Sequence, residues 1–331
     1  MPTTITDVAA RAGVSSATVS RVLQGSPRVS RDALERVQTA IAELGYRPSG
    51  VARSLRNQET GTLGLIVTNI TNPFYPEIVR GAEDAAQRMG ASIILCNAAE
   101  DPEREIAYLD LLLERRVDGV IVAAGGLTQR HEDFLSVFPA PLVLINADLP
   151  GGQVPAVLSD DEAGGRAAAV HLLELGHSRL IHISGPTVRE AVSLRLSGVR
   201  AAVAAAGRAV TLEVVEGDGY LAGGMAVRQV AQRLRPPYAI IAHNDLTAVG
   251  AMHALFDLGI RCPDEVSVVG FDDIALAAYT NPAMTTVAQD KYSMGRLAVE
   301  TIARLRSGEA VNGNQVLPVR LVVRGSTGPP H

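Results

Sequence analysis

The chain has no tryptophan, a single lysine and only two cysteines. Cys96 and Cys262 are far apart and lack metal-ligand spacing, which excludes a disulfide scaffold and suits a reducing compartment. No apolar run reaches the roughly 18–20 residues of a membrane span. The longest candidates, such as 117-VDGVIVAAGG-126, are of buried-strand length and end in glycine. The start, 1-MPTTITDVAARAG-13, has no basic residues followed by an apolar block, so no secretory signal is read and a cytoplasmic location is expected. Enzyme signatures are missing too: no GxGxxG after the first strand, no GxxxxGK[ST], no HExxH and no GxSxG. The seven histidines are scattered. His171, His177 and His182 read as helix- and strand-borne, and His131-Glu132-Asp133 as a solvated face. No catalytic residue, metal site or cofactor is therefore expected. The one lysine, Lys291, in an otherwise arginine-only set, reads as genomic base composition.

What is present is an ordinary globular composition, with 47% hydrophobic and 20% charged residues. That excludes a disordered or fibrous chain. A length of 331 residues suggests two or three domains. The net charge of −5 conceals an asymmetry. Residues 1–60 carry eight arginines and five carboxylates, so this head stands at +3 and the remainder at −8. A small basic head on an acidic body is the charge pattern of a nucleic-acid-binding module joined to something else.

The head reads as three short helices. Thr4 and Asp7 form a capping-box-like start, and Ile5, Val8, Ala9 and Ala12 recur at helical spacing. Gly13 supplies a left-handed stop. Ser15 caps a second helix, 16-SATVSRVLQ-24, whose Val19, Val22 and Leu23 face inward and whose Ser16, Ala17, Ser20 and Arg21 face outward. Gly25 and Pro27 break it. Ser30 caps a third helix through Ala33, Leu34, Val37, Ile41 and Leu44, ended by Gly45. Two helices joined by a short glycine-containing turn describe a helix-turn-helix, in which the second helix enters the major groove; a plain helical hairpin would show the same periodicity.

The run 5-ITDVAARAGVSSATVSRVL-23, then 29-VS-30, then 43-ELGYRPSGVARSL-55, resembles the DNA-binding head and hinge of the lactose/galactose-repressor (LacI/GalR) family, and the likeness extends through the body to about residue 324. By this resemblance Ser16, Ala17 and Arg21 read bases, Arg21 by a bidentate contact to guanine. Thr18 and Ser20 position phosphates, Thr4 and Ser15 complete the DNA-facing set, and Arg28 joins it or lies on a solvated face. Arg31 and Arg36 could extend the footprint or form a solvated face. Pro48 stops the third helix and Ser49 caps a one- or two-turn hinge segment that carries Gly50. So short a helix is marginal alone. The resemblance implies that two such segments, with Ser49, Ala52 and Leu55, pair over the minor groove and that Leu55 wedges a base step. Ser49 replaces the asparagine more often found there.

The body alternates apolar strands and helices. Strands are expected at 62–67, 92–96, 118–122, 142–146, 180–184, 211–215, 239–242 and 266–270. Helices are expected near 75–89, 103–115, 129–136, 162–175, 189–206, 222–234 and 244–258. This implies two doubly wound parallel sheets. The tail, 285-TTVAQD-290, a helix over 291–306 and strands near 315–324, is expected to cross back and complete the first. The fold class is α/β: a three-helix head and a periplasmic-binding-protein-like body of two subdomains. The expected boundaries are 1–46 for the head, 47–60 for the linker, 61–159 with 290–317 for the first subdomain, and 160–289 with 318–325 for the second. Ligands of such sheets bind at the carboxyl ends of the strands. The resemblance assigns Phe74 and Tyr75 to stacking on an effector, Arg195 to a forked contact and Asp272 to paired hydroxyls, with Asp160, Arg189 and Asn244 as further candidates. Asn244 and Asp245 could equally cap the next helix.

Three departures concern the ligand. Gly219 stands where many relatives carry an aromatic after 217-GD-218, so either Tyr220 swings in or the cleft is more open there. The pair 289-QD-290 replaces Gln-Pro, leaving Gln289 to reach the cleft. Asp160–Asp161 replaces Asp-Asn. The resemblance implies a transcription regulator, a repressor by family habit. It would act as a homodimer on pseudo-palindromic double-stranded operator DNA and answer to a small effector such as a sugar, without a membrane. The first-subdomain face is expected to form the dimer contact. The ending "GSTGPPH" carries no heptad leucines, so no tetramerising coiled coil is expected. The competing readings are an enzyme and a sugar-binding protein without a transcriptional role.

Overall fold

The computed structural model describes residues 3–23, 26, 28–46, 60–123, 129–135, 137–149, 154–187, 189–311 and 313–331. It divides into two compact units, residues 1–61 and 62–331. The expected hinge helix, with Ser49, Ala52 and Leu55, falls outside the described residues.

In the first unit, α1 (Ile5–Ala12), α2 (Ser16–Leu23) and α3 (Arg31–Leu44) enclose a small core of Val8, Val19, Val22 and Val37. The local chemistry sets the ends. Thr4 accepts from the amide of Asp7 while the Asp7 carboxylate accepts from the Thr4 amide at 2.8 Å, a complete capping box. Those bonds from Thr4 hold Asp7 below the usual carboxylate range. Ser30 caps α3, and Gly13 and Gly45 end α1 and α3 in the left-handed conformation, with φ of 64° and 58°. Leu23, expected in this core, is instead exposed at the last turn of α2.

The second unit runs β1 (Thr62–Val67), α4 (Phe74–Arg88), β2 (Ser92–Asn97), α5 (Pro102–Glu114), β3 (Val120–Ala123), α6 (Gln129–Leu135), β4 (Leu142–Ile145) and β5 (Ala156–Ser159). It continues with α7 (Asp161–Glu174), β6 (Arg179–Ser184), α8 (Glu190–Ala204), β7 (Thr211–Glu216), α9 (Gly219–Arg233), β8 (Tyr238–Ala242), α10 (Asp245–Asp257), β9 (Val266–Asp272) and α11 (Ala275–Tyr279). It closes with β10 (Thr285–Ala288), α12 (Lys291–Arg306), β11 (Gln315–Leu317) and β12 (Arg320–Val322). One sheet has the order β11-β5-β4-β3-β1-β2, the other β12-β10-β9-β8-β6-β7, and every pairing is parallel except β10 with β12. The first sheet lies between α4 with α12 and α5 with α6; the second lies between α9 with α10 and α7 with α8. Strands covered on both faces explain the unbroken apolar runs such as 238-YAIIA-242.

The tail does not cross back as one piece to complete the first sheet. Only α12 and β11 join the first sheet; β10 continues the second in register with β9, and β12 closes its edge. Two elements had no sequence signal. β5 has four residues after a glycine- and proline-rich stretch, and α11 has five, too few to display a period. His131 is fully buried, not on a solvated face, and lies 3.6 Å from the buried Glu105 carboxylate of α5.

Three helix pairs approach through backbone. A Cβ built on Gly81 would sit 2.0 Å from the carbonyl oxygen of Tyr292, one on Gly198 2.0 Å from that of Glu162, and one on Gly250 1.9 Å from that of Tyr220. A carbonyl in a helix has no room to retreat, so these contacts fix the spacing of α4 with α12, α7 with α8 and α9 with α10. Gly198→Ala should force α7 and α8 apart and cost about 1–3 kcal/mol, read as a lowered Tm in calorimetry. Burial also pushes the Glu105 carboxyl up to about 7. An acid raised on folding stabilises the fold at low pH, and that stability is lost as pH rises through the folded value. Glu105→Gln should therefore melt higher than the parent at about pH 8 and show little difference at about pH 5.

Candidate functional site: an exposed recognition helix and a polar cleft

On α2 the helical twist of 100° per residue puts Ser16, Ala17, Ser20 and Arg21 on one arc and Val19 and Val22 on the opposite one. Ser16, Ala17 and Arg21 are exposed, Thr18 and Ser20 half-buried. The Ser15 hydroxyl accepts from the Thr18 amide at 3.1 Å and lies 3.0 Å from the Thr18 hydroxyl, so both are engaged in starting the helix. Thr4 is likewise committed to its capping box. Of the arginines described in this unit, Arg11, Arg31 and Arg36 are paired with Glu43, Glu35 and Asp32. Arg21 and Arg28 are exposed and have no carboxylate partner among the described residues. Among the described residues, the positive charge without a carboxylate partner therefore lies at α2 and just beyond it.

In the second unit the cleft between the two sheets is built at strand ends, as parallel sheets dictate. An inner compartment of about 540 Å³, counting its open mouth, is lined by Asn72, Phe74, Tyr75, Asn146, Arg189, Arg195, His243, Asn244 and Asp272 among others. Phe74 and Tyr75 begin α4 and meet edge-to-face, ring centroids 5.3 Å apart. Burial pushes the Tyr75 phenol up to about 12, so it stays a neutral hydroxyl.

Arg195 is the anchor. Its Nε donates to Asp161 Oδ1 at 2.6 Å, and its Nη1 donates to the His243 carbonyl at 2.5 Å and lies 3.7 Å from Asp272 Oδ1. The guanidinium carbon stands 3.7 Å over the Phe271 ring. Its Nη2 has no hydrogen-bond partner among the described residues. Asp272 ends β9 at φ 118°, in the region that favours glycine, and Asp273 follows at 51°. Such strain costs about 1–3 kcal/mol per residue and must be held in place. Lys291 holds it, buried, donating to the carbonyls of Asp272 and Asp273, the latter at 3.1 Å. The Asp272 Oδ1 accepts from Gln289 Nε2 at 2.6 Å; its Oδ2 has no hydrogen-bond partner among the described residues. Burial raises the Asp272 carboxyl above its ordinary value.

Asn244 caps a helix and also stands on the cleft wall. Its Oδ1 accepts from the Thr247 amide at 2.9 Å at the start of α10. Arg189 spans the cleft mouth, donating to Asp218 Oδ2 at 2.7 Å and standing 3.6 Å from Glu100 on the opposite wall. His243 Nε2 lies 3.1 Å from Asp218 Oδ1. Their hydrogen bond, with Arg189 adding to it, holds Asp218 below its ordinary value, while burial pushes His243 down.

Three expected residues are placed elsewhere. Tyr220 is turned outward, its ring against His253 at 5.8 Å and its hydroxyl bonded to His253 Nδ1, because one helical step past Gly219 carries the side chain off the cleft wall. Asp160 is exposed and caps α7 by accepting from the Ala163 amide at 3.0 Å; its carboxylate is spent there. Gln289 sits behind the wall with both ends of its amide engaged, accepting from Ser159 Oγ at 2.6 Å and Asn146 Nδ2 at 3.3 Å while donating to Asp272. It bonds the first sheet to the second where the chain crosses between them. The sequence reading missed Asn146, Asp161, His243 and Lys291. Asn146 and His243 directly follow strands, the signal that found the others; nothing local distinguishes Asp161 from Asp160. Arg195→Ala should leave Asp161 buried without its partner and Asp272 with only Gln289 and Lys291 near it, and cost about 3–5 kcal/mol. Combining it with Asp161→Asn should recover part of that loss in denaturant melts.

Residues 4–49 match the lacI family of bacterial regulatory proteins, and residues 169–327 a periplasmic binding protein-like domain. The chain is 35% identical to catabolite control protein A of Priestia megaterium over 99% of its own length and 100% of that protein. It is 36% identical to the ribose operon repressor of Escherichia coli K12, covering 90% and 92% of the two chains. A solved lac repressor dimer bound to operator and the anti-inducer ONPF is similar with a TM-score of 0.89 and 31% identity, over 99% of this chain and 100% of that one. Among the described residues no helix is long and apolar enough to cross a membrane. The chain thus belongs to the lacI family of bacterial regulatory proteins, DNA-binding repressors controlled by a small-molecule effector.

Proposed function

We propose that this regulator works in the cytoplasm as a homodimer on a pseudo-palindromic operator, and that its effector is a small uncharged polyhydroxy compound, a sugar or sugar derivative. The observation that carries the effector class is the charge balance of the cleft. Arg195 is neutralised by Asp161 and Asp272, and Arg189 by Asp218 and Glu100. Among the described residues no unbalanced cation remains there for a phosphate. What remains is the vocabulary of hydroxyl recognition: an open guanidinium nitrogen, a free carboxylate oxygen, the Asn72 and Asn244 amides, and an aromatic pair for a ring face. The ribose operon repressor and the operator-bound lac repressor among its similar proteins accord with this reading.

In the reading we adopt, Ser16, Ala17 and Arg21 address bases, and Thr18, Ser20 and Arg28 lie toward phosphates. The hinge residues Ser49, Ala52 and Leu55 engage the minor groove. The subdomain boundaries are 61–159 with 290–317 and 160–289 with 318–325, in keeping with the sheet to which each strand belongs. Effector closure moves the two sheets about the crossover where Gln289 bonds Ser159. A coupling of about 1–3 kcal/mol would change operator affinity roughly 5–150-fold. Support for a dimer comes from apolar surface without a partner, Ile94 and Leu95 on the edge strand β2 and Leu221, Met225 and Phe256 on α9 and α10.

Arg21→Ala should weaken binding to DNA from the chain's own promoter region by about 1–3 kcal/mol without changing effector affinity. Electrophoretic mobility shift and calorimetry check the two parts, and undiminished operator binding would remove Arg21 from the interface. A thermal-shift screen of sugars against their phosphate esters tests the effector class; preference for the esters would overturn it.

A further inference from the structure

We propose that Glu100 is a positioning residue that latches the two walls of the cleft to one another and so sets how readily the cleft closes. Its effect on operator binding rests on the reading that closure of the cleft controls the DNA-binding head. A row of polar contacts crosses the cleft mouth. His243 Nε2 lies 3.1 Å from Asp218 Oδ1, Asp218 Oδ2 accepts from Arg189 Nη1 at 2.7 Å, and Arg189 Nη2 stands 3.6 Å from Glu100 Oε2. His243 follows β8, Asp218 follows β7 and Arg189 precedes α8, all on the wall of the second sheet; Glu100 follows β2 of the first. The last contact of the row therefore joins the two walls.

Each end of that contact is fixed by its own wall. Ala99 and Glu100 are consecutive left-handed residues, with φ of 54° and 63°, a conformation that costs free energy outside glycine. The Glu100 amide donates to the Thr68 carbonyl at 2.9 Å, which holds the turn. Glu100 Oε1 accepts from Asn69 Nδ2 at 2.9 Å, while Asn69 Oδ1 accepts from the Thr71 amide at 3.0 Å and its hydroxyl at 2.7 Å. That leaves Oε2 as the oxygen turned to Arg189. On the other wall, Asp218 divides its oxygens between Arg189 and His243, and His243 is buried. Surface ion pairs are weak partly because two long side chains must be ordered to meet. Here the ordering is supplied beforehand by neighbours on each wall.

The place of the contact decides what it does. The bonds of Gln289 to Ser159 and Asn146, and of Lys291 to the carbonyls of Asp272 and Asp273, lie where the chain crosses between the sheets. A turn of one sheet about that crossover moves those bonds little and the mouth most. The Glu100–Arg189 contact is therefore made in the closed arrangement and broken in the open one. A contact present in one of two states raises the population of that state by its own free energy. The Arg189 and Glu100 side chains are 25% and 50% exposed, so the pair is screened by salt and is worth about two- to fivefold in that population. A ligand that binds the closed cleft gains affinity by the same factor.

The test uses the full-length protein without added sugar and amide hydrogen exchange read by mass spectrometry. Glu100→Gln removes the charge and keeps an oxygen for Asn69. At about 0.05 M NaCl it should speed exchange about two- to fivefold in segments 189–195 and 217–222, on the wall opposite the substitution. At about 0.5 M NaCl the difference between parent and variant should shrink. Glu100→Arg, which sets like charge against Arg189, should speed exchange there further. Faster exchange confined to residues 68–75 and 97–101, or no change on the opposite wall in either variant, would overturn the latch. A mobility shift with the chain's own promoter DNA, again without sugar, reads the consequence: Glu100→Gln should change operator affinity about two- to fivefold. Altered exchange on the opposite wall with unaltered operator affinity would leave the latch standing and overturn the reading that closure controls the head.

Discussion

A guanidinium withdrawn from water needs carboxylates, acceptors and a polarisable surface arranged around it, and the body of this protein is organised to give Arg195 all three. Asp161 comes from the first turn of α7, Asp272 from the end of β9, the carbonyl of His243 from the end of β8, and the Phe271 ring lies beneath. None of these positions is close in sequence. They coincide because α7 and α8 touch through Gly165 and Gly198, which brings Asp161 and Arg195 within hydrogen-bond reach. The bonds this network makes hold it rigid, and the two groups it leaves open, Arg195 Nη2 and Asp272 Oδ2, face the cleft.

From Arg195 the polar contacts run on without interruption to the point where the chain changes sheets. Asp272 accepts from Gln289, and Gln289 accepts from Ser159 and Asn146. Asp160 donates its amide to Leu317 at 3.0 Å, tying two crossings together. The cleft wall and the hinge thus belong to one hydrogen-bonded system, so a group that pulls on Asp272 or Arg195 also acts on the orientation of the sheets. Lys291 completes it from behind by holding the strained 272–273 turn. An ammonium is a compact charge on a flexible stem, suited to reaching two adjacent carbonyls where a planar fork would not fit as well. The solitary lysine of an arginine-rich chain carries a structural role that its frequency alone concealed.

Much of the architecture was legible before any coordinates. Capping residues announced α1 and α3, and unbroken apolar runs between helices announced parallel sheets, because both signals arise within a few residues of the chain. That a cleft lies at the carboxyl ends of the strands was legible from the parallel sheets, while Tyr75, Arg195 and Asp272 were singled out by the family resemblance. The failures share a cause. Tyr220, Asp160 and Gln289 have the right chemistry and nearly the right positions, but each has its polar group engaged by a partner. His131 was read as exposed from its charged neighbours, yet it is buried beside Glu105. β5 and α11 are too short to carry a period of their own.

The sequence alone therefore determined the class of each unit: a basic three-helix head with a polar outward arc on its second helix, and a body of two parallel sheets whose cleft lies at the strand ends. Those features follow from periodicity, caps and charge, which are local. Only the tertiary structure decided which of two adjacent aspartates meets Arg195, which aromatic faces the cleft, and that Gln289 joins the sheets instead of lining the site. Those outcomes depend on one helical step or one competing hydrogen bond. Residues far apart in the chain settle them, and no local signal records the result.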